Sequence, residues 1–399
     1  MNKMNDSVVV TSAVRTPICD FGGGFKDVKA GDLSAAVMQE TVKRAGIEYE
    51  MIDEVIWGCC LQDFDEPNVG RCGALKAGIP VEVPAYTIQR QCSSGMQAIQ
   101  NGVLQIKAGH ADIILCGGVE SYSTAPYVFR KGRWGARLMH QQMEDSIWNL
   151  LYSGGDIIMG QTAELIAKKW NITREESDEV ALRSHNKAEE AIKAGKFEKE
   201  IVSVSVPRKK SEPKIIQQDE HPRYGLTKDQ IASLKPAFDA DGIVTAASSS
   251  GINDGAAALL LVSERKAKAL GLPLLAAVGD FGVAGVHPDY MGEGPIPAAK
   301  KMFDKSSFCL NDVGLIELNE AFAAQYIACE RGIGLNREIT NVNGSGCALG
   351  HPVGCTGARI VVSLIYEMQR RGVELGMAGL CAGGGMGTVM LIHGLSTRA

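Results

Sequence analysis

No two cysteines in this chain are spaced as C-x-x-C, although its 399 residues include eleven of them. An odd, scattered set of thiols excludes a zinc-knuckle pattern and argues against a disulfide framework, and it fits a reducing compartment. The sequence also lacks an apolar run of membrane length, a secretory or transit leader, and an evident address in its last residues, Ser396-Thr397-Arg398-Ala399. A cytoplasmic protein without a membrane partner is expected. Excess positive charge is missing too: 41 Lys and Arg against 46 Asp and Glu leave a net charge of −5, so there is no global footprint for nucleic acid. The short basic run Arg208-Lys209-Lys210 reads as a phosphate patch or, more simply, as a solvated turn.

What is present is the composition of a globular protein, 45% hydrophobic and 22% charged, in a chain longer than one ordinary core, so two or three lobes are expected. Cys92 lies in Gln91-Cys92-Ser93-Ser94-Gly95, just ahead of a helical stripe of Met96, Ile99, Val103 and Ile106 that stops at Gly109. A thiol at a helix N-terminus meets the positive end of the dipole and free N–H groups, which favours thiolate. The alternative is a buried structural thiol. The pattern has an echo: Gly354-Cys355-Thr356-Gly357 leads into a helix carrying Ile360, Val361, Leu364, Ile365 and Met368, which stops near Gly372. A strand and a glycine cluster follow in both places, Gly117-Gly118 in the first and Gly383-Gly384-Gly385 in the second. Two related α/β halves are therefore expected, coincidence between two βαβ segments being the alternative. The stretch from 122 to 245 differs in character and reads as an inserted lid or loop domain, with a capping-box helix starting at Thr173.

Four further islands carry chemistry. Asn319-Glu320 follows the strand-like Leu315–Leu318, and strand ends are where α/β folds place sites. His351 sits in a shaped loop between Gly350 and Pro352, Cys381 precedes three glycines, and Ser248-Ser249-Ser250-Gly251-Ile252-Asn253-Asp254-Gly255 forms the fourth. Singly, each reads as scaffold: a turn, a bonded histidine, a helix cap. Together they supply a Cys–His pair, a second cysteine and oxyanion donors, the requirements for acyl transfer through a thioester.

Along almost its whole length the chain resembles the thiolases, acetyl-CoA acetyltransferases. The matching runs are Val14-Arg15-Thr16-Pro17, Gly117 to Ser121, Met159 to Glu164, Asp219 to Arg223, Met291-Gly292 with Gly294-Pro295, Asn319 to Ala323, Gly350-His351-Pro352, and Cys381 with its glycines. The resemblance implies a layered α-β-α-β-α fold of two duplicated halves: residues 1–121 completed by about 246–272, the insert 122–245, and 273–399. It implies Cys92 as the acylated nucleophile, His351 as its base, and Cys381 as the acid/base at the α-carbon of a second acyl-CoA. Asn319 would hold a water in an enolate oxyanion hole, and the N–H groups of Cys92 and Gly383 would form the other hole. Arg223, Phe238, Ser250, Met159, Met291 and Phe322 match acyl- or CoA-contacting positions. The expected partners are acyl-CoA and CoA, as substrate and product, with no metal or bound cofactor. A dimer or tetramer is implied, with tetramer contacts in 127–142.

The chain departs from the short-chain biosynthetic pattern at Ile158, where a His is usual, at Ala247-Ser248, and at Gly344-Ser345-Gly346-Cys347-Ala348. Three readings therefore stand beside acetyl-CoA condensation: a thiolase for longer 3-ketoacyl-CoA, a β-ketoacyl synthase-like enzyme, and a non-catalytic acyl-CoA or lipid binder. The second cysteine and the long insert argue against a synthase, and four intact chemical positions against a mere binder.

Overall fold

The computed structural model describes residues 7–152, 155–209 and 211–395; Lys210 of the basic run and Ser396–Ala399 lie outside them. Its main sheet is built around largely apolar runs such as Val8–Arg15 and Ile113–Glu120, which are buried on both faces. The first half supplies β1 (Val8–Arg15), β2 (Glu54–Gly58), β3 (Ala85–Ile88), β4 (Ile113–Glu120) and β5 (Asn253–Ser263). The second supplies β6 (Ala276–Gly285), β7 (Leu315–Leu318), β8 (Leu375–Ala382) and β9 (Met386–Gly394). Their order is β7-β8-β9-β6-β1-β5-β4-β2-β3, with the short strand Cys19–Asp20 paired off this path to β5.

The halves share one plan. β5 is antiparallel to β1 and β4, while β4, β2 and β3 are parallel. Likewise β9 is antiparallel to β6 and β8, and β8 is parallel to β7. The halves join through Val9 with Ala277 and Val10 with Ala276.

Strand alternation sorts side chains into layers. Ile114, Leu259, Leu380 and Met390 face inward, onto helices α3 (Ser94–Lys107) and α8 (Val353–Arg371). Their neighbours Leu115 and Leu260 face outward onto α1 (Ala30–Ala45) and α2 (Val69–Ala77). In the second half, Met377 and Leu391 face outward onto α6 (Pro295–Phe303) and α7 (Ala323–Ile333). The result is the expected α-β-α-β-α stack, with α3 and α8 buried at its centre. Both helices stop where the sequence predicts: Gly109 has φ +76° and Gly372 φ +66°.

Among the described residues, no strand between 121 and 252 belongs to the main sheet, although Ile201 makes one isolated bridge to Arg15 of β1. That stretch holds α4 (Met159–Lys169), α5 (Arg174–Lys193), the short helices Ser146–Tyr152 and Lys228–Ala232, and two small hairpins. Thr173 caps α5 as anticipated, its side chain accepting from the Glu176 N–H while Glu176 accepts from the Thr173 N–H. Arg208 and Lys209 stand exposed at the turn of the second hairpin, which fits a solvated turn. Among the described residues no helix is long and apolar enough to cross a membrane.

Candidate active site

Cys92 stands two residues ahead of α3, and His351 two residues ahead of α8. The two helix starts touch through glycine. A methyl on Gly95 would lie 2.8 Å from the Ala358 nitrogen, and one on Gly357 2.4 Å from the Met96 nitrogen. Such distances leave no room for any side chain, so backbone meets backbone and both helix N-termini converge. Cys92 and His351 consequently share the wall of one cavity.

The turn bearing Cys92 is strained. Gln91 adopts φ +49°, costly for a non-glycine residue. Ser94 holds the turn, its hydroxyl accepting from the Arg90 N–H at 2.8 Å and donating to the Gln91 carbonyl at 2.6 Å. Cys92 is only 2% exposed. Burial pushes its thiol up to about 11, against the downward pull of the N–H groups of Gly383 and of Cys92 itself. The sequence argument for a thiolate at the helix N-terminus is thus corrected: loss of hydration outweighs the nearby dipoles, and the resting group is a thiol.

His351 is held at both ends. Its backbone N–H donates to Asn253 Oδ1 at 2.9 Å, and Nδ1 lies 2.7 Å from Thr356 Oγ1. The Thr356 hydroxyl has one proton, which it gives to the Pro352 carbonyl at 2.9 Å. Thr356 therefore accepts from Nδ1–H, and Nε2 carries the free lone pair. Nε2 is buried without a partner. Burial, then the Arg359 cation, lowers the imidazole to about 3, so it is neutral at physiological pH.

Asn319 and Cys381 lie at the C-terminal ends of the parallel neighbours β7 and β8. Asn319 is fixed through its backbone, donating to the Gly379 carbonyl at 2.9 Å, while neither polar atom of its buried amide has a partner. Burial, followed by the charge of a Cys92 thiolate, pushes the Cys381 thiol well up. The turn after it, with Gly384 at φ +81° and Gly385 at φ +85°, presents the Gly383 N–H to Cys92. Glu320 does not cap the next helix. Its carboxylate accepts from Ser184 Oγ at 2.6 Å and Asn341 Nδ2 at 2.8 Å, tying α5 to the loops at the strand ends.

The cavity has a volume of about 310 Å³, within the range of small-ligand sites. Of the residues expected to contact substrate, Met159, Phe238, Ser250, Met291 and Phe322 line it; Arg223 does not, and stands exposed outside the wall. Cys381 packs behind Phe322 and Met291. Ile147, Leu150 and Leu151, which sequence reasoning assigned no contact, join Ile158 in making the same wall strongly apolar. Two further residues were missed. Thr356 sits inside the repeat that revealed α8, and Glu120 inside a quoted motif. Glu120 is buried and accepts from the N–H groups of Cys60, Leu61 and Gly354 at 3.1, 2.9 and 2.8 Å, stitching the two halves together.

Residues 8–265 match the family described as thiolase, N-terminal domain, and residues 272–394 the family described as thiolase, C-terminal domain. The acetyl-CoA acetyltransferase of Syntrophomonas wolfei subsp. wolfei is 47% identical over 399 residues, covering 98% of this chain and 100% of that protein. The crystal structure of Bacillus anthracis acetyl-CoA acetyltransferase superposes with a TM-score of 0.97 at 50% identity, covering 99% of this chain and 100% of that one. The human mitochondrial 3-ketoacyl-CoA thiolase in complex with CoA superposes with a TM-score of 0.94 at 40% identity, covering 98% and 99%.

Proposed function

This chain belongs to the thiolase family, and from that premise we propose that its site joins two acetyl-CoA to give acetoacetyl-CoA and CoA, or runs the reverse thiolysis, through an acyl group on Cys92. The observation that carries the reading is the buried, neutral Nε2 of His351 sharing a cavity wall with the Cys92 thiol. With the thiol near 11 and the imidazole near 3, a preformed ion pair is unfavourable, so His351 acts as a general base during attack.

In the first half-reaction Nε2 takes the Cys92 proton as Sγ attacks the thioester carbonyl. The oxyanion is received by the N–H groups of Cys92 and Gly383, each such donor being typically worth about 3–4 kcal/mol. CoA leaves with the proton from His351. In the second, Cys381 in its thiolate form removes an α-proton from another acetyl-CoA, and the enolate oxygen is met through a water by the unpartnered Asn319 amide. The enolate carbon attacks the acyl group, the Cys92 thiolate departs, and the proton held by Cys381 returns to Cys92, which restores both groups for the next turnover. CoA is substrate and product, and no step calls for a metal or a resident cofactor.

The insert 122–245 roofs the cavity through Met159 and Phe238, while residues 1–121 with 246–272 and residues 273–399 form the two halves. Arg223, exposed outside the cavity wall, suits the nucleotide end of CoA. Tyr127, Phe129, Trp134, Leu138 and Met139 are exposed together in 127–142, an apolar surface that fits a tetramer contact. All eleven cysteines are unpaired, which supports a reducing cytoplasm.

The test is incubation with acetyl-CoA followed by intact-protein mass spectrometry. An acetyl adduct that is absent in Cys92→Ser is expected; no adduct, or one that survives the substitution, contradicts the mechanism. A thiolysis series over 3-ketoacyl-CoA chain lengths tests the acetoacetyl preference.

A further inference from the structure

The island Ser248–Gly255 lends the cavity wall Ser249 to Ile252, and the residue after them, Asn253, is fully buried. Asn253 Oδ1 accepts the His351 backbone N–H at 2.9 Å. On the other side its Nδ2 donates to the Cys19 carbonyl at 3.2 Å and to Asp20 Oδ1 at 3.1 Å. Asp20 Oδ1 in turn lies 2.5 Å from His221 Nδ1. The packing is equally close. A methyl on Gly350 would sit 2.6 Å from the Asn253 side-chain carbon, and one on Gly251, at the cavity wall, 2.4 Å from the His221 ring. The amide is wedged between the rim of the cavity and the backbone of the loop carrying His351.

The amide has a donor end and an acceptor end, and only one orientation satisfies its neighbours. Two oxygens, from Cys19 and Asp20, face one end, and the N–H of His351 faces the other. Gly350, at φ +93°, gives the His351 loop no side chain with which to hold itself. We propose that Asn253 is a positioning residue for His351, and that the Asp20–His221 pair at the rim keeps its amide oxygen turned toward the His351 N–H. This rests on the reading of His351 as the base for Cys92.

Single-turnover acetylation of Cys92 by acetyl-CoA, measured alongside CoA affinity, tests it. Asn253→Ala should slow acetylation roughly 30-fold while leaving CoA affinity within about twofold, since a small displacement of a reacting group costs up to about 100-fold in rate. Asn253→Asp sets a carboxylate against Asp20 and should slow it similarly, whereas Asp20→Asn should cost about threefold or less, its amide oxygen still accepting. Combining Asp20→Asn with Asn253→Asp restores one donor and one acceptor between the two positions, and should recover at least about tenfold over Asn253→Asp alone. A purely structural role would lower thermal stability without this rescue. Should Asn253→Ala fail to fold, the exchanged pair decides. Acetylation of folded Asn253→Ala at the wild-type rate, or an exchanged pair no faster than Asn253→Asp, overturns the proposal. Wild-type protein that forms no acetyl adduct overturns instead the functional reading beneath it.

Discussion

Cys92 and His351 occupy the same structural address in the two halves, each two residues ahead of a central helix, α3 in one and α8 in the other. The turns beneath them differ. The first half forces Gln91 to φ +49° and points a sulfur at backbone N–H groups. The second uses Gly350 at φ +93° and spends its polar contacts, Asn253 and Thr356, on orienting a ring. Two positive helix ends thereby converge on one spot, which disfavours an imidazolium and favours an oxyanion. On the proposed mechanism, one of the two matching halves carries the nucleophile and the other the proton-transfer groups, His351 and Cys381.

That division is broken most completely by Cys92→Ala, which should lower condensation by about ten thousand-fold or more, since the proposed mechanism carries the acyl chain on Cys92. A steady-state assay showing only a modest loss would mean that another residue serves as nucleophile. Next comes His351→Ala, expected to slow acetylation about a thousand-fold at neutral pH. The pH profile sharpens the point. With the imidazole lowered to about 3, wild-type acetylation should keep its base well below the ordinary histidine value of about 6.5, while the variant should speed up as pH climbs toward the thiol value of about 11. A wild-type acid limb centred near the ordinary value, seen by rapid quench, would count against a buried neutral base. The contact between the halves is probed by Gly357→Ala, whose methyl would meet the Met96 nitrogen at 2.4 Å. Overpacking of this kind should cost about 1–3 kcal/mol in urea unfolding. The smallest effect is expected outside the cavity: Arg223→Ala should raise the KM for acetyl-CoA about threefold and leave kcat unchanged.

Periodicity made much of the fold legible. The stripes of α3 and α8, their glycine stops and Leu315–Leu318 were all readable, and so was the repeat relating the halves. The motif residues drew attention only as a set, since singly a cysteine beside small residues or a histidine between Gly350 and Pro352 reads as scaffold. What could not be read were relations across long separations. Asn253 and His351 are almost a hundred positions apart and meet through a backbone N–H, which no side-chain pattern announces. The balance between dipole and burial at Cys92 depends on how deeply α3 is covered, and this only the packing of α8 decides. Ile158 was visible as a departure from the family pattern, but its place in an apolar wall with Ile147, Leu150 and Leu151 came from the fold of the insert.

The division of labour is tested most directly in Cys381→Ala, incubated with acetyl-CoA in deuterated water while Cys92 acetylation and α-hydrogen exchange are followed in the same sample. The account predicts acetylation at close to the wild-type rate with exchange of the α-hydrogens lost. Exchange at the wild-type rate, or failure of Cys92 to acetylate, would contradict it.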